Sequence, residues 1–283
     1  MIQVRPSGFQ VLPVIIKNLI IINVLVFLAQ LTFDGISMKP GTLEPNIGFV
    51  SQTFALHHVM SSLFKPWQLI THMFMHGSPG HLFFNMFGLW LFGSMLENLW
   101  GAKRFLIFYL VCGLGAAVLH LASMYYDSNS LINDFNAVKV NINANSYFHF
   151  LNKYTVSPDY TLQEANAVLN ELKINPNNFE VQNEALKIIA SSTNMYISYP
   201  TVGASGAVFG CLAAFAVLFP NHIVYFFPAK YVVPFLILSE LIAGFQNIPG
   251  DNVARFAHVG GAVMGLILAY FWKKRSHRFR RWY

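Results

Sequence analysis

Charged residues are scarce in this chain. Aspartate, glutamate, lysine and arginine make up 11% of its 283 residues, whereas they make up roughly 25% of an ordinary soluble domain. Hydrophobic residues account for 55% of the sequence. This composition excludes an ordinary soluble domain and favours a chain that folds in contact with lipid.

Cysteine is also scarce. The chain has only two cysteines, Cys112 and Cys211, and both fall inside long apolar segments. A disulfide framework is typical of a short secreted chain with several cysteines, so neither cysteine indicates such a framework. We interpret both cysteines as small apolar packing residues.

Long apolar segments, by contrast, are abundant. A helix needs about 20 mostly apolar residues to cross the hydrocarbon core of a bilayer. The first such segment, residues 14–33, is too long for a signal-peptide core and lacks a small-residue cleavage site, so we expect it to be retained. The sequence therefore predicts an all-α polytopic membrane protein with six spans, near residues 14–33, 74–96, 105–126, 201–219, 231–248 and 255–272.

The distribution of charge predicts the orientation of these spans. The net charge is +6, and six of the eighteen lysines and arginines lie in residues 273–283. A basic cluster beside a span is typical of the cytoplasmic face and of anionic lipid headgroups rather than of nucleic-acid binding. Lys103 and Arg104, between spans 2 and 3, fall on the same side. With six spans, both termini are expected to be cytoplasmic.

The loop between spans 3 and 4 is long, polar and rich in asparagine. Its capping box, Thr161 with Glu164, predicts a helix that ends before Pro176, and an apolar stripe predicts a second helix at 179–190. We expect a helical hairpin outside the membrane. The predicted regions are 1–126 with three spans and a long interfacial loop, 127–198 with the extracytoplasmic insertion, 199–272 with three further spans, and 273–283 as a cytoplasmic tail.

Several polar side chains occur within the spans. Such groups cost free energy at membrane depth, so each calls for a functional or structural reason. His81 and Asn85 lie one helical turn apart in span 2, Ser205 begins span 4, and His258 lies early in span 6. Even-numbered spans all begin on the extracytoplasmic side, so these residues share one leaflet. A serine near a helix N-terminus, a histidine and additional hydrogen-bond donors are the parts of an acyl-transfer site.

Three motifs in this region resemble those of the rhomboid intramembrane serine proteases. They are 203-GASG-206, the spacing H-x4-H-x3-N from His76 to Asn85, and A-H-x-x-G-x-x-x-G from Ala257 to Gly265. The resemblance covers the six spans in order and leaves 127–198 outside. It implies a six-helix rhomboid-like bundle that cleaves transmembrane protein substrates near the extracytoplasmic side, without a cofactor. It also implies a multi-pass protein of a bacterial plasma membrane.

The resemblance assigns roles to individual residues. It implies a Ser205–His258 catalytic dyad without an acidic third member, in which Ser205 attacks and His258 transfers the proton. His81, Asn85 and the backbone N–H of Ser205 correspond to the oxyanion hole. The remaining matched positions have supporting roles. Gly203 and Gly206 flank Ser205 and free its backbone, and Gly261 lets a neighbouring helix come close to the imidazole. Phe209 is the aromatic ring on which the histidine stacks, and His76 is a structural histidine that bonds to the first loop.

Three other positions bear on this assignment. Glu97 matches a family carboxylate that ties helix ends together. Gln68 follows Trp67 where many members have arginine, so the usual anchor of the first loop is missing. Glu240 stands in span 5 where relatives are apolar and face a lateral gate. We hypothesise that Glu240 biases the opening of that gate.

Several alternatives remain at this point. The chain could be a catalytically inactive relative that binds transmembrane helices, although intact Ser205 and His258 favour an enzyme. A transporter is disfavoured because the spans lack paired charges and half-matching repeats. The insertion is either a tolerated loop or a surface that recruits substrate.

The other histidines allow different interpretations. His72 and His76, four residues apart, would suit zinc, but no glutamate lies between them, so the metalloprotease motif is missing. We predict no metal. His57 and His58 are expected to be interfacial loop residues outside the site.

Overall fold

The computed structural model describes residues 9–35, 48–154, 156–157, 159–198, 200–224, 226–246 and 253–275. These residues are mostly helical, as the composition predicts. The predicted basic tail at 273–283 falls largely outside the described residues. The only sheet among them is the two-stranded antiparallel hairpin of β1, Ile223–Val224, and β2, Phe227–Pro228.

Four helices in the described part of the chain are long and apolar enough to cross a membrane. They are α1 Val14–Phe33, α6 Ala102–Val140, α11 Ala229–Gln246 and α12 Arg255–Arg275. Helices α1, α11 and α12 begin and end within three residues of the predicted first, fifth and sixth spans. The chain is therefore an integral membrane protein.

The helix of the second predicted span begins later in the structure than the sequence predicts. Its helical run consists of α4 Pro79–Gly88, a π-helical turn Leu89–Gly93 and α5 Ser94–Trp100. The predicted start at 74 is wrong because Met75 is extended and Ser78 caps α4, its hydroxyl accepting a hydrogen bond from the His81 N–H at 3.1 Å. Pro79 occupies the first helical position, where its missing N–H costs nothing.

The fourth predicted span is also shorter than expected. Helix α10, Ser205–Leu218, has 14 residues, and it starts four residues after the predicted start at 201. Thr201 instead pairs with Leu56 in an isolated antiparallel bridge, a long-range contact that hydropathy does not report. Ten residues of α10 are buried, most of them small, and α10 packs against both α6 and α12. Cys112 and Cys211 are buried free thiols in this core.

Helix α6 extends well beyond the predicted end of the third span at 126. Its 39 residues rise about 58 Å at 1.5 Å per residue, roughly twice the thickness of a hydrocarbon core. The boundary between the third span and the insertion therefore lies inside one continuous helix.

The insertion contains more than the predicted hairpin. The two expected helices are present as α8, Leu162–Ile174, and α9, Phe179–Ser198, and the Thr161–Glu164 capping box forms. The end of α6 and α7, Ala144–Lys153, pack onto them. The four helices share a separate apolar core that includes Leu131, Val138, Tyr147, Phe150, Leu169, Leu172, Ile188 and Ile189.

The first loop contains two short helices, α2 Phe49–Phe54 and α3 Gln68–Thr71. Gln68 is completely buried; its Oε1 accepts from the Lys65 N–H at 3.1 Å and its Nε2 donates to the Leu63 carbonyl at 2.9 Å. A neutral amide therefore anchors the loop where the resemblance led us to expect a missing anchor. Residues 36–47 of the predicted interfacial loop lie outside the described residues.

His57 and His58 lie in the first loop, and both are completely buried. His58 Nε2 lies 2.9 Å from the hydroxyl of Ser128, so it joins the first loop to α6. The hydrogen bonds of His57 and His58 are made with the first loop and with α6, so neither histidine joins Ser205 or His258.

Glu97 joins two helices. Its two carboxylate oxygens accept hydrogen bonds from the backbone N–H groups of Ile15 and Ile16, each at 2.9 Å. These N–H groups belong to the first turn of α1, where they have no intrahelical partner. The buried carboxylate thus caps α1 and fixes it against α5.

Candidate active site

The position of Ser205 is set by the segment before α10. Gly203 has a φ of +131°, a backbone conformation that side chains other than glycine rarely adopt. Its N–H donates to the His72 carbonyl at 2.9 Å, and the chain then enters α10 with Ser205 as the first helical residue. The Ser205 hydroxyl therefore lies at a helix N-terminus, where free N–H groups favour negative charge.

His258 reaches Ser205 from the first turn of α12. Its Nε2 lies 2.8 Å from the Ser205 Oγ, and its side chain is 11% exposed. A hydroxyl within hydrogen-bond distance of an imidazole nitrogen is the arrangement of a nucleophile and its general base. The two residues are brought together across 53 positions of sequence by helix packing alone.

Close helix packing makes this contact possible. A Cβ atom on Gly261 would overlap the carbonyl oxygen of Gly206, and one on Gly265 would overlap that of Gly210. The backbones of α10 and α12 therefore touch directly over two turns. Only glycine at these positions allows the short imidazole side chain of His258 to reach Ser205.

Phe209 holds the plane of the imidazole. Its ring lies one turn after Ser205 on α10 and stacks on His258, with centroids 4.3 Å apart and planes inclined by 6°. Stacking of this kind restricts rotation of the imidazole about its side-chain bonds. The Nε2 lone pair is thus kept in the direction of the hydroxyl.

Helix α4 supplies the third wall of the site. A Cβ atom on Gly203 would lie 2.8 Å from the ring of His81 and 3.6 Å from the Asn85 Nδ2, so both side chains face the segment before Ser205. The Asn85 Nδ2 is buried and has no hydrogen-bond partner in the described part of the chain. A buried unpaired donor costs about 1–3 kcal/mol, and such a donor is suited to an acceptor that arrives with a substrate.

His76 lies beside the site. Its ring contacts His81 edge-on, with centroids 5.1 Å apart, and its backbone N–H donates to the Gln30 Oε1 at 3.0 Å. Neither ring nitrogen bonds to any residue that the structure describes, so the expected bond from the ring to the first loop is not among the observed contacts.

His72 does not share a helix face with His76. It lies in a 3₁₀ turn, His72–Phe74, that the extended Met75 separates from α4, and its Nδ1 is 2.8 Å from the Gln68 carbonyl. The i, i+4 geometry that would suit a metal is therefore lost. Across the described ranges, no group of three or more His, Cys, Asp or Glu side chains is placed to hold a metal ion.

Glu240 contacts His258, whereas the sequence predicted a role for Glu240 at a lateral gate. Its Oε2 lies 3.0 Å from the His258 Nδ1 and 3.3 Å from the Arg255 Nη1. The imidazole is thus bracketed by a hydroxyl on one nitrogen and a carboxylate on the other. A signal was present in the sequence, because the predicted topology ends span 5 on the extracytoplasmic side, so that its second half, with Glu240, is expected in the leaflet of His258.

Comparison with protein-family models finds a Rhomboid domain over residues 63–131 and 181–275. These two ranges cover more than half of the chain and contain Ser205, His258, His81, Asn85 and Glu240. Residues 132–180, between these two ranges, are not matched.

Three curated relatives are similar to parts of this chain. Rhomboid protease GluP of Bacillus subtilis is 34% identical over 62 residues, 22% of this chain and 12% of that protein. An uncharacterized mitochondrial rhomboid protein of Schizosaccharomyces pombe is 26% identical over 241 residues, 79% of this chain and 57% of that protein. The mitochondrial RHOMBOID-like protein 6 of Arabidopsis thaliana is 42% identical over 55 residues, 19% of this chain and 18% of that protein. The chain spans less than two thirds of the length of each.

Proposed function

The chain belongs to the rhomboid family, and we propose that it is an intramembrane serine protease that cleaves transmembrane proteins near their extracytoplasmic ends. The observation that carries this proposal is the distance of 2.8 Å between the Ser205 Oγ and the His258 Nε2. No packing requirement of an apolar bundle explains a hydroxyl and an imidazole in this contact, because each would otherwise be replaced by an apolar group at less cost.

The chemistry follows from the two side chains. Ser205 attacks the scissile carbonyl carbon while the His258 Nε2 accepts the hydroxyl proton. The tetrahedral intermediate collapses when His258 returns this proton to the leaving amine. Water then hydrolyses the acyl-enzyme, with His258 again acting first as base and then as acid.

The negative charge of the intermediate calls for hydrogen-bond donors beside Ser205. The Asn85 Nδ2 is an unpaired buried donor, His81 lies beside it on α4, and the Ser205 N–H belongs to the free first turn of α10. We assign these three to the oxyanion hole. Removal of one such donor typically lowers kcat about 10²- to 10³-fold.

We further propose six membrane spans. The run from α4 to α5 extends about 33 Å at the helical rise, and α10 about 21 Å, against a hydrocarbon core of about 30 Å. Helix α10 is enclosed by other helices, so its free N-terminal N–H groups can lie below the membrane surface without facing lipid. This arrangement places Ser205 within the membrane but near its extracytoplasmic side.

The orientation follows from the same six spans. Cytoplasmic termini agree with the basic cluster at 273–283, and the insertion then lies on the face at which α10 begins. A bacterial plasma membrane stays a prediction, since the similar proteins come from one bacterium and from mitochondria of eukaryotes.

An inactive relative that only binds transmembrane helices is the alternative. The test uses purified protein in detergent with a model transmembrane substrate and compares the wild type with Ser205→Ala and His258→Ala. The protease proposal predicts cleavage by the wild type and none by Ser205→Ala. Cleavage that persists in Ser205→Ala would contradict the mechanism, and a wild type that binds the substrate without cleaving it would identify the inactive alternative.

A further inference from the structure

Glu240 contacts the nitrogen of His258 that a serine–histidine dyad leaves without a side-chain partner. We propose that Glu240 is a positioning residue of the catalytic machinery, so that the chain uses a Ser205–His258–Glu240 triad. This inference rests on the proposed protease function and departs from the dyad that the resemblance implies. It also replaces the hypothesis that Glu240 acts chiefly on gate opening.

The geometry assigns each proton. With 3.0 Å between the His258 Nδ1 and the Glu240 Oε2, the neutral imidazole carries its proton on Nδ1 and donates it to the carboxylate. The lone pair of Nε2 then faces the Ser205 hydroxyl at 2.8 Å. When Nε2 accepts the serine proton, the imidazolium formed lies beside a negative charge that stabilises it. Glu240 keeps its charge throughout, and no bond to it forms or breaks.

Arg255 completes the arrangement. Its guanidinium contacts the same carboxylate oxygen at 3.3 Å, and the side chains of Arg255 and Glu240 are 23% and 19% exposed. A partly buried carboxylate is costly without a cationic partner. Arg255 precedes His258 by three residues on α12, so both side chains project from one helix face towards Glu240.

Because Glu240 lies on α11, its contact with His258 depends on the position of that helix. The buried residues of α11 are Ala229 and Val233, both near its start. The half that carries Glu240 is held to α12 by the Glu240 contacts and by an edge-on pair of Phe245 and Phe256, with centroids 5.4 Å apart. An outward movement of this half would therefore separate Glu240 from His258.

Two roles for Glu240 predict opposite results. If Glu240 only holds α11 closed, its loss frees α11 and raises the cleavage of transmembrane substrates, with no change in the reactivity of Ser205. If Glu240 positions His258, its loss lowers the reactivity of Ser205 towards any acylating or phosphonylating reagent. A small fluorophosphonate measures that reactivity without the passage of a substrate helix beside α11.

The experiment compares the wild type with Glu240→Gln, Glu240→Asp, Ser239→Ala and Ser205→Ala in detergent. We expect Glu240→Gln to lower both the fluorophosphonate labelling rate and kcat for a transmembrane substrate at least tenfold, with KM nearly unchanged. Glu240→Asp, which keeps the charge on a shorter side chain, should restore part of both rates. Ser239 is exposed, and its hydroxyl donates to the Leu236 carbonyl at 2.8 Å, so Ser239→Ala should match the wild type.

Each contrary result has a distinct meaning. Ser205-dependent labelling at the wild-type rate in Glu240→Gln and Glu240→Asp overturns the positioning role while leaving the protease proposal intact. Raised cleavage with unchanged labelling also overturns it and assigns Glu240 to the gate. Labelling or cleavage that persists in Ser205→Ala overturns the proposed function together with the triad. Thermal unfolding of every variant ensures that rates are compared between folded proteins, and Glu240→Asp decides the matter if Glu240→Gln does not fold.

Discussion

Gly261 lies against the carbonyl oxygen of Gly206 so closely that no side chain fits between them. This contact joins α12 to α10 at the residue that follows Ser205, three residues after His258, and it brings His258 within 2.8 Å of the hydroxyl. Helix packing and the contact between His258 and Ser205 therefore depend on the same pair of glycines, because the imidazole cannot reach Ser205 from a more distant helix.

Gly261→Ala should consequently separate the two helices. We expect a loss of about 1–3 kcal/mol of stability from overpacking and at least a hundredfold fall in the cleavage rate of the protein that remains folded. The measurements are thermal unfolding in detergent and cleavage of a transmembrane substrate.

Gly80→Ala is the matched control for this substitution. It makes the same change in α4, where a Cβ atom would meet nothing within 4 Å. It should retain both stability and activity, since alanine is at least as favourable as glycine in a helix. Equal behaviour of the two variants would contradict the proposed role of close packing.

Asn85→Ala tests the oxyanion hole. The Asn85 Nδ2 has no partner among the described residues, so its removal should cost little stability, yet kcat should fall about 10²- to 10³-fold with little change in KM. Asn98→Ala offers the reverse pattern, because the Asn98 amide donates to the Gln10 and Ser94 carbonyls at 2.8 Å. It should lower stability and preserve kcat per folded molecule. A full wild-type kcat in Asn85→Ala would remove this residue from the site.

The insertion can be tested by replacing residues 130–192 with a short flexible linker. Its apolar core is separate from that of the spans, so we expect Ser205 to react with a fluorophosphonate as in the wild type. Helix α9 ends at Ser198, seven residues before Ser205, so the insertion adjoins the candidate site. Loss of the insertion should therefore raise KM for substrates with a folded extracytoplasmic part. Unchanged cleavage across several such substrates would leave the insertion without a role in recruitment.

The sequence predicts the long helices well, and the physical reason is local. Hydropathy over about 20 residues locates α1, α11 and α12 because each is exposed to lipid along much of its length. The start of α4 differs from the prediction because it depends on the Ser78 cap. The start of α10 differs because it depends on the pairing of Thr201 with Leu56, a contact between distant segments. The C-terminal part of α6 and the whole of α7 were not predicted, because their buried residues are widely spaced among polar ones.

The candidate site shows the same division. Ser205, His258, His81 and Asn85 could be found because each is a polar residue in an apolar segment and the predicted topology assigns all four to one leaflet. Glu240 satisfies both conditions. The resemblance to relatives with an apolar residue there led instead to the prediction that Glu240 biases the opening of a gate. The contact of Glu240 with His258 depends on the relative rotation of α11 and α12, which no periodicity in the sequence specifies.

The most direct test of the account is the rate at which a fluorophosphonate labels Ser205, with the labelled residue located by mass spectrometry, in the wild type and in His258→Ala. Activation of Ser205 by His258 predicts that the label resides on Ser205 and that His258→Ala reduces the rate at least a hundredfold. Equal rates in the two proteins, or a label at another residue, would contradict it.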